Sequence, residues 1–357
     1  MKRQATAPLR TLGRAAGALL IAVFFTANAE ELQQIHLNVL GSWSTVSQHP
    51  DHEIPFWAEM VPEASGGQIT TDVTAFNLEG VGSADVYEVV GQGLFEIGAT
   101  VAGYMAGEDP RIEGLDLPAI AIDLEVARTA SDAYKPILQD VFSDLYGVKL
   151  LALVPYSAQV VYCNTEINSL EDFEGKRIRG SGRMGLRFIE AAGAVGVHVD
   201  FAEVPVALER GVVDCAITGA LSGYDNRWYE VSTHLFTLPA GGWDHVGVVI
   251  SEAVWDTLNE ATQDFLLEQA VAYEDRVWGA APQETEDGIA CNTAGPCPHG
   301  EAGGMTLVEV TDEDEALAEH YVLDEVLPSW ADRCGAECVA TWNETVGAAF
   351  DLFLETP

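Results

Sequence analysis

The chain has 357 residues, 48% of them hydrophobic, and carries 56 Asp and Glu against 17 Lys and Arg, a formal charge of −39. That apolar content excludes a disordered chain. The acid excess is spread along the sequence rather than gathered in a tail, and it excludes nucleic acid and anionic membrane as partners because like charges repel. Such a surface fits a protein bathed in salt, where screening removes most self-repulsion.

Residues 1–29 read as a secretory signal peptide. Lys2, Arg3, Arg10 and Arg14 form a basic start, AAGALLIAVFFTA follows as the apolar stretch, and Ala27-Asn28-Ala29 is a cleavage site. A membrane-spanning helix needs roughly 20 apolar residues, which this stretch does not reach. The remainder is longer than one hydrophobic core usually supports, so two domains are expected in an exported, periplasmic protein.

From Glu30 onward, strand-like and helix-like segments alternate. Ile35–Leu40 reads as a strand, 52–64 as a helix, Ile69–Phe76 as an alternating strand, 84–91 as a helix and 94–99 as a short strand. A long helix is expected over Leu124–Leu145, then an apolar strand over Val148–Val154. Strands at 160–164, 177–179, 197–200 and 215–217 interleave with helices at 184–193 and 203–210. Val246–Ile250 is a further apolar strand, and Glu252–Glu286 reads as one long helix. Alternation of this kind predicts an α/β fold with mostly parallel sheets. The Gly-rich stretch 291–304 is an insertion-like loop.

Five of the cations, Lys176, Arg177, Arg179, Arg183 and Arg187, crowd one window with no acid between Glu174 and Glu190. A chain this acidic must concentrate positive charge to hold an anion. Arg183 and Arg187, four apart, suit a solvated helix face, with Glu190 as a partner for Arg187. Arg179 sits instead at a strand end beside a glycine turn, where free backbone N–H groups and a guanidinium together suit a carboxylate or phosphate.

Gly180-Ser181-Gly182-Arg183-Met184-Gly185 matches G-x-G-x-x-G, with Asp200 twenty residues on. The dinucleotide reading is discounted because the preceding strand is charged, the motif lies mid-chain, and an exported protein meets little free nicotinamide cofactor. No cofactor is expected. Signatures of nucleophilic or zinc-dependent catalysis are absent. His49 and His52 read as helix-start residues, Asp312–Glu315 as a solvated helix N-terminus. Among the aromatics Trp43, Phe76, Tyr104, Tyr156, Trp228 and Trp243, the residues Trp43, Tyr156 and Trp243 fall in loops at strand ends, where α/β folds place ligands. His245 stands at a strand entrance.

All six cysteines follow the leader, and an even number in an exported chain implies disulfides. Cys291 with Cys297 and Cys334 with Cys338 are close pairs that could close locally. Cys163 and Cys215 would then meet across the fold. Fifteen pairings are formally open, and a zinc site from the close pairs would have unusual spacing.

Three runs, Asn168-SLEDFEGKRIRGSG, Ala194-VGVHVDFAEVPVALERGVVDCAITG and Trp228-YEVSTHL, resemble solute-binding proteins of the tripartite ATP-independent periplasmic (TRAP) transporters, the family of the dicarboxylate-binding protein. Gly91-QGLFEIG, ahead of Tyr104, and Ile250-SEAVWDTL resemble further segments, so the likeness covers most of residues 30–290. The resemblance implies a periplasmic-binding-protein-like fold: two α/β domains, a ligand cleft between them, crossing strands at a hinge near 155–157 and 244–246, and a long inter-domain helix. It implies domain I over 30–156 plus 245–284 and domain II over 157–244 plus 285–357. The family's carboxylate-binding arginine falls on Arg179. A position often occupied by Asn falls on Thr218. The second arginine of sialic-acid-binding members falls on Gln159, which argues against that ligand. The Gly of the family's V-D-G is Cys215, a departure that favours a local disulfide with Cys163.

The expected ligand is a small organic carboxylate, a monocarboxylate before either a dicarboxylate with Arg183 or Arg187 as second anchor or a zwitterion whose amine meets Asp244. Arg179 is the anchor, Gln159, Thr218, Asp244 and His245 are polar partners, and Trp43, Tyr104, Tyr156 and Trp243 are walls. The expected partners are TRAP membrane permease subunits, and the expected protein is no enzyme. An exported enzyme or a ligand sensor using the same cleft is the alternative.

Overall fold

The computed structural model describes residues 31–121 and 123–356; the leader assigned to 1–29 lies outside the described residues. In chain order the strands are β1 (Ile35–Gly41), β2 (Ile69–Ala75), β3 (Ile97–Val101), β4 (Val148–Val154), β5 (Gln159–Cys163), β6 (Arg177–Gly180), β7 (Val195–His198), β8 (Cys215–Gly219), β9 (His234–Phe236), β10 (Val246–Ser251) and β11 (Thr306–Val308). They form two sheets, ordered β2-β1-β3-β10-β4 and β11-β9-β5-β8-β6-β7. The near-continuous apolar runs VKLLALV and VGVVIS become β4 and β10, neighbours that are almost wholly buried because helices cover both faces of a sheet of this kind.

The sheets are mixed rather than mostly parallel. β1 runs parallel to β2 and β3, and β6 parallel to β7 and β8. β10 is antiparallel to both β3 and β4, and β5 to both β8 and β9. The reversed strands are those entering from the opposite sheet. β4 feeds β5 through residues 155–158, and β9 feeds β10 through residues 237–245. A strand arriving across the molecule needs no crossover helix, so it pairs antiparallel with its new neighbours. The two crossing segments hydrogen-bond to each other: Tyr156 N–H donates to Trp243 O (2.9 Å) and Gln159 N–H to Gly242 O (3.0 Å).

The long helix differs from its expected bounds. A short turn, Glu252–Trp255, precedes it, and Asn259 caps a new start by accepting from Thr262 N–H (3.0 Å), so the helix proper is Glu260–Asn292, running through Pro282. It ties both sheets together. At its start Thr262 Oγ1 accepts from Gln33 N–H (2.8 Å), beside β1. At its end Asn292 Nδ2 donates to Tyr162 Oη and to Ala220 O (2.8 Å each), beside β5 and β8. Gly288 is required there, since a Cβ would run into the backbone of Ala220 and Leu221.

The C-terminal segment does not stay with the second sheet. After β11 and the helix Asp312–Tyr321, the helices Leu327–Cys334, Ala336–Glu344 and Val346–Phe350 return to the first lobe. Val346–Phe350 packs on the helix Leu124–Tyr146. Trp330 Nε1 donates to Pro110 O (2.9 Å) and Trp342 Nε1 to Gly114 O (2.7 Å). The grouping of all of 285–357 with the second domain thus departs from the packing of these helices. Nothing in the heptad-free pattern of that tail showed which lobe its tryptophans would bury against.

The cysteines form Cys163–Cys215, Cys291–Cys297 and Cys334–Cys338. Cys163 and Cys215 face each other in register on β5 and β8, with Cα atoms 4.0 Å apart. Denatured, unreduced protein should show no reactive thiol on titration, and removing Cys163–Cys215 with a double Cys→Ala change should cost about 2–4 kcal/mol in chemical denaturation. Two or more thiols per chain would break this pairing.

Candidate functional site

β6 has the sequence RIRG, and it carries Arg179 into the interior, where only 4% of the residue is exposed. Two backbone carbonyls hold the guanidinium: Nε donates to Val199 O (3.0 Å) and Nη1 to Ile217 O (2.8 Å). Among the described residues Nη2 has no protein partner. Burial pushes its pKa down, while Tyr104, Asp244 and Asp200 pull it back up; an arginine stays charged in either case. The other cations of the window are elsewhere. Arg177 pairs with Asp214 (2.6 Å), Arg187 with Glu325 and, at 3.8 Å, with Glu190, and the half-exposed Arg183 lies 3.9 Å from Glu113.

Arg179 lines a narrow cavity between the lobes. Trp43, Tyr104, Tyr156, Gln159, Thr218 and Asp244 line it too, so seven of the nine sequence-derived candidates share one space. Trp43 follows β1 and packs edge-on against Phe76 (4.7 Å between centroids) and tilted against Phe201 (5.5 Å). Gln159 opens β5 and Thr218 ends β8. Gly219 leaves room beside them, since a Cβ there would meet Ser222 Oγ at 2.7 Å and Gln159 Nε2 at 3.1 Å. Trp43 Nε1 and Tyr156 Oη are buried without a hydrogen-bond partner. Such groups cost free energy unless a ligand or water meets them.

Asp244 is held in a left-handed backbone conformation (φ 45°) just before β10. Burial, and then the charge of Asp116, push its carboxyl up to about 7, with Arg179 opposing. The cavity therefore pairs one fixed cation with one acid poised near neutrality.

Two candidates lie outside this cavity. Trp243 is buried in the crossing segment, with Nε1 donating to Ala121 O (2.9 Å) and its backbone N–H donating to both oxygens of Asp116 (3.1 Å). His245 lies against Trp278 (5.6 Å between centroids), with Nδ1 3.4 Å from Asp116 Oδ2. Sequence reasoning missed Ser181, Phe201, Ser222 and Val46, which also line the cavity. Ser181 was legible as the centre of Gly180-Ser181-Gly182. Val46, Phe201 and Ser222 had no signal of their own, because loop and helix packing alone aims them at Arg179.

The lobes also touch beside the cleft. Asp225 accepts from Ser47 N–H, and Asn226 Nδ2 donates to Thr45 O, each at 3.1 Å. Two α/β lobes joined by paired crossing strands, with a buried cation in the cleft, define a ligand-binding clamp. The family described as bacterial extracellular solute-binding protein, family 7, matches residues 44–320, and the chain belongs to that family. The family is one of extracellular binding proteins rather than enzymes, and among the described residues no helix is long and apolar enough to cross a membrane.

Among curated relatives, the C4-dicarboxylate-binding periplasmic protein DctP of Rhodobacter capsulatus is 28% identical over 64% of this chain and 66% of its own length. The ectoine-binding periplasmic protein TeaA of Halomonas elongata is 25% identical over 54% of this chain and 58% of its own. The matched stretch thus spans a little under two thirds of these relatives. Among solved structures, a Bordetella pertussis extracytoplasmic solute receptor binding pyroglutamic acid superposes with a TM-score of 0.76 at 20% identity, covering 89% of this chain and 99% of that one. A sugar acid binding protein of Advenella mimigardefordensis in complex with galactonate gives 0.75 at 19% identity, with coverage of 89% and 99%. These structures share the fold.

Asp225 gives a pH prediction. Burial pushes its carboxyl up to about 6; the Ser47 N–H and His299 oppose this, and Asp51 and Glu284 add to it. An acid raised in the folded state binds its proton more tightly there than in the unfolded chain. The cost of ionised Asp225 is therefore absent below the ordinary value of 3.8 and complete above about 6. The melting temperature of Asp225→Asn minus that of wild type should grow with pH across this window and level off above it. A flat difference would contradict the burial assigned to Asp225.

Proposed function

We propose that the protein is the extracytoplasmic solute-binding subunit of a TRAP transporter, that it binds a small organic carboxylate through Arg179, and that it delivers this solute to membrane permease subunits. The observation that carries the reading is the guanidinium of Arg179, buried, anchored by Val199 and Ile217, and left with an open donor in the cavity. A buried cation without a charge partner is costly, and a carboxylate answers both its charge and its donor geometry. Gln159, Thr218 and Ser181 supply neutral polar contacts, while Trp43, Tyr104 and Tyr156 supply walls.

One carboxylate is favoured over two. Arg183, the alternative second anchor, is half exposed and lies near Glu113; it shares an outer groove with Arg179 but does not line the cavity that holds Gln159 and Thr218. Asp244 in that cavity and the −39 charge of the chain both repel a second anionic group. Family membership supports the proposed membrane partners. The domain division we propose puts residues 31–154, β10 and the start of the long helix in one lobe, with the C-terminal helices from Leu327 onward packed on it.

Arg179→Ala should reduce carboxylate affinity at least a hundredfold in calorimetry while the circular dichroism spectrum stays unchanged. Arg179→Lys should also bind poorly, because a point charge cannot replace a planar fork. Binding within threefold of wild type in Arg179→Ala would overturn the anchor. A ligand present at 100 times its Kd adds about 2.7 kcal/mol of stability, so a thermal-shift screen of small carboxylates should find its ligand as a rise of several degrees. A screen in which only dicarboxylates raise the melting temperature would refute the monocarboxylate preference. Small-angle scattering should show a smaller radius of gyration with ligand than without; identical curves at saturation would count against hinge closure across the crossing segments.

A further inference from the structure

A second cavity adjoins the arginine cavity and shares Tyr104, Ser181 and Asp244 with it. Its walls are largely apolar, including Val101, Ile112, Leu115, Met184 and Ile217. Its charged groups are three acids, Glu113, Asp116 and Asp244, and one cation, the half-exposed Arg183. Glu113 is already answered by Arg333 and, at 3.9 Å, by Arg183. Asp116 and Asp244 have no Lys or Arg ion pair among the described residues. Asp116 spends both oxygens on the Trp243 N–H, and no side chain donates to Asp244.

His245 is the independent observation. It lines the same cavity, is 3% exposed, and leaves both ring nitrogens without a hydrogen bond, its 3.4 Å approach to Asp116 being too poorly aligned to count as one. A buried imidazole lacking both of its bonds lacks a partner that a ligand can supply. The excess of acid beside it selects the sign of that partner. A group with N–H donors and positive charge would satisfy Asp244 and give a neutral imidazole nitrogen a donor. It would also relieve the Asp116–Asp244 repulsion that raises the Asp244 carboxyl. The apolar walls accommodate the carbon skeleton between the two ends.

We propose that this second cavity is the subsite for the cationic end of a zwitterionic ligand, an amino carboxylate whose carboxylate rests on Arg179 and whose ammonium lies against Asp244, Asp116 and His245. The assignment rests on the Arg179 reading above and narrows its ligand class. It explains why so acidic a protein keeps a further pair of uncompensated carboxylates beside its anion anchor: the pair rejects dianions and attracts the other half of a neutral zwitterion.

The test is calorimetry on refolded, ligand-free protein with matched pairs, γ-aminobutyrate against butyrate and tranexamate against cyclohexanecarboxylate. At least one amino acid should bind tenfold or more tightly than its unaminated partner. Asp244→Asn should erase that preference. Asparagine tolerates the left-handed backbone found at this position, so the fold should survive. Equal or tighter binding of both unaminated acids, or a preference that persists in Asp244→Asn, overturns the subsite and leaves the Arg179 anchor standing. Failure of all four compounds to bind overturns both.

Discussion

The desolvated charge of Arg179 is the constraint around which the cleft is arranged. Two backbone carbonyls, from residue 199 beyond β7 and from β8, spend donors of the guanidinium and fix its plane. The carbonyls supply partial charge but no full counter-ion. In a chain with 56 acids, leaving this one cation without a carboxylate at contact distance is a specific feature of the fold. The carboxylate that acts most on its charge, Asp244, is itself raised by burial and by Asp116. The result is a site with a strong local demand for an anion inside a protein whose long-range field repels anions. On the binding reading proposed above, affinity depends on short-range geometry, not on steering.

The mechanics follow from how the lobes are joined. Residues 155–158 and 237–245 pass between the sheets side by side and bond to each other, and the helix Glu260–Asn292 braces both ends. The same segments carry Tyr156, Gln159 and Asp244 into the cavity. A rotation of one lobe against the other would therefore move ligand contacts and hinge together. The contacts of residues 45–47 with residues 225–226 lie off that axis, where a small rotation makes or breaks them. Family membership places this clamp outside the cytoplasm, where the three disulfides are chemically at home.

Much of this was legible in the sequence because the signals were local. Hydrophobic periodicity placed most strands within a residue or two. The charge map singled out Arg179 because one strand-end arginine in an acidic chain is conspicuous, and the family motifs fell on the same residue. Other features were not legible. The antiparallel insertion of β5 and β10, the break before Glu260, and the return of Trp330 and Trp342 to the first lobe depend on which surfaces meet, and no local period encodes that.

The sequence by itself determined the α/β class, the cysteine count and the crowding of cations around Arg179, because each is a property of composition or short-range spacing. Only the tertiary structure decided which neighbours that arginine keeps. Trp243 and His245 read like cavity residues beside Asp244, but the left-handed backbone at Asp244 turns the chain between them. Packing sends Trp243 to Ala121 and His245 toward Asp116. It turns Asp244 to both cavities and brings in Val46, Phe201 and Ser222 from elements far apart in the chain.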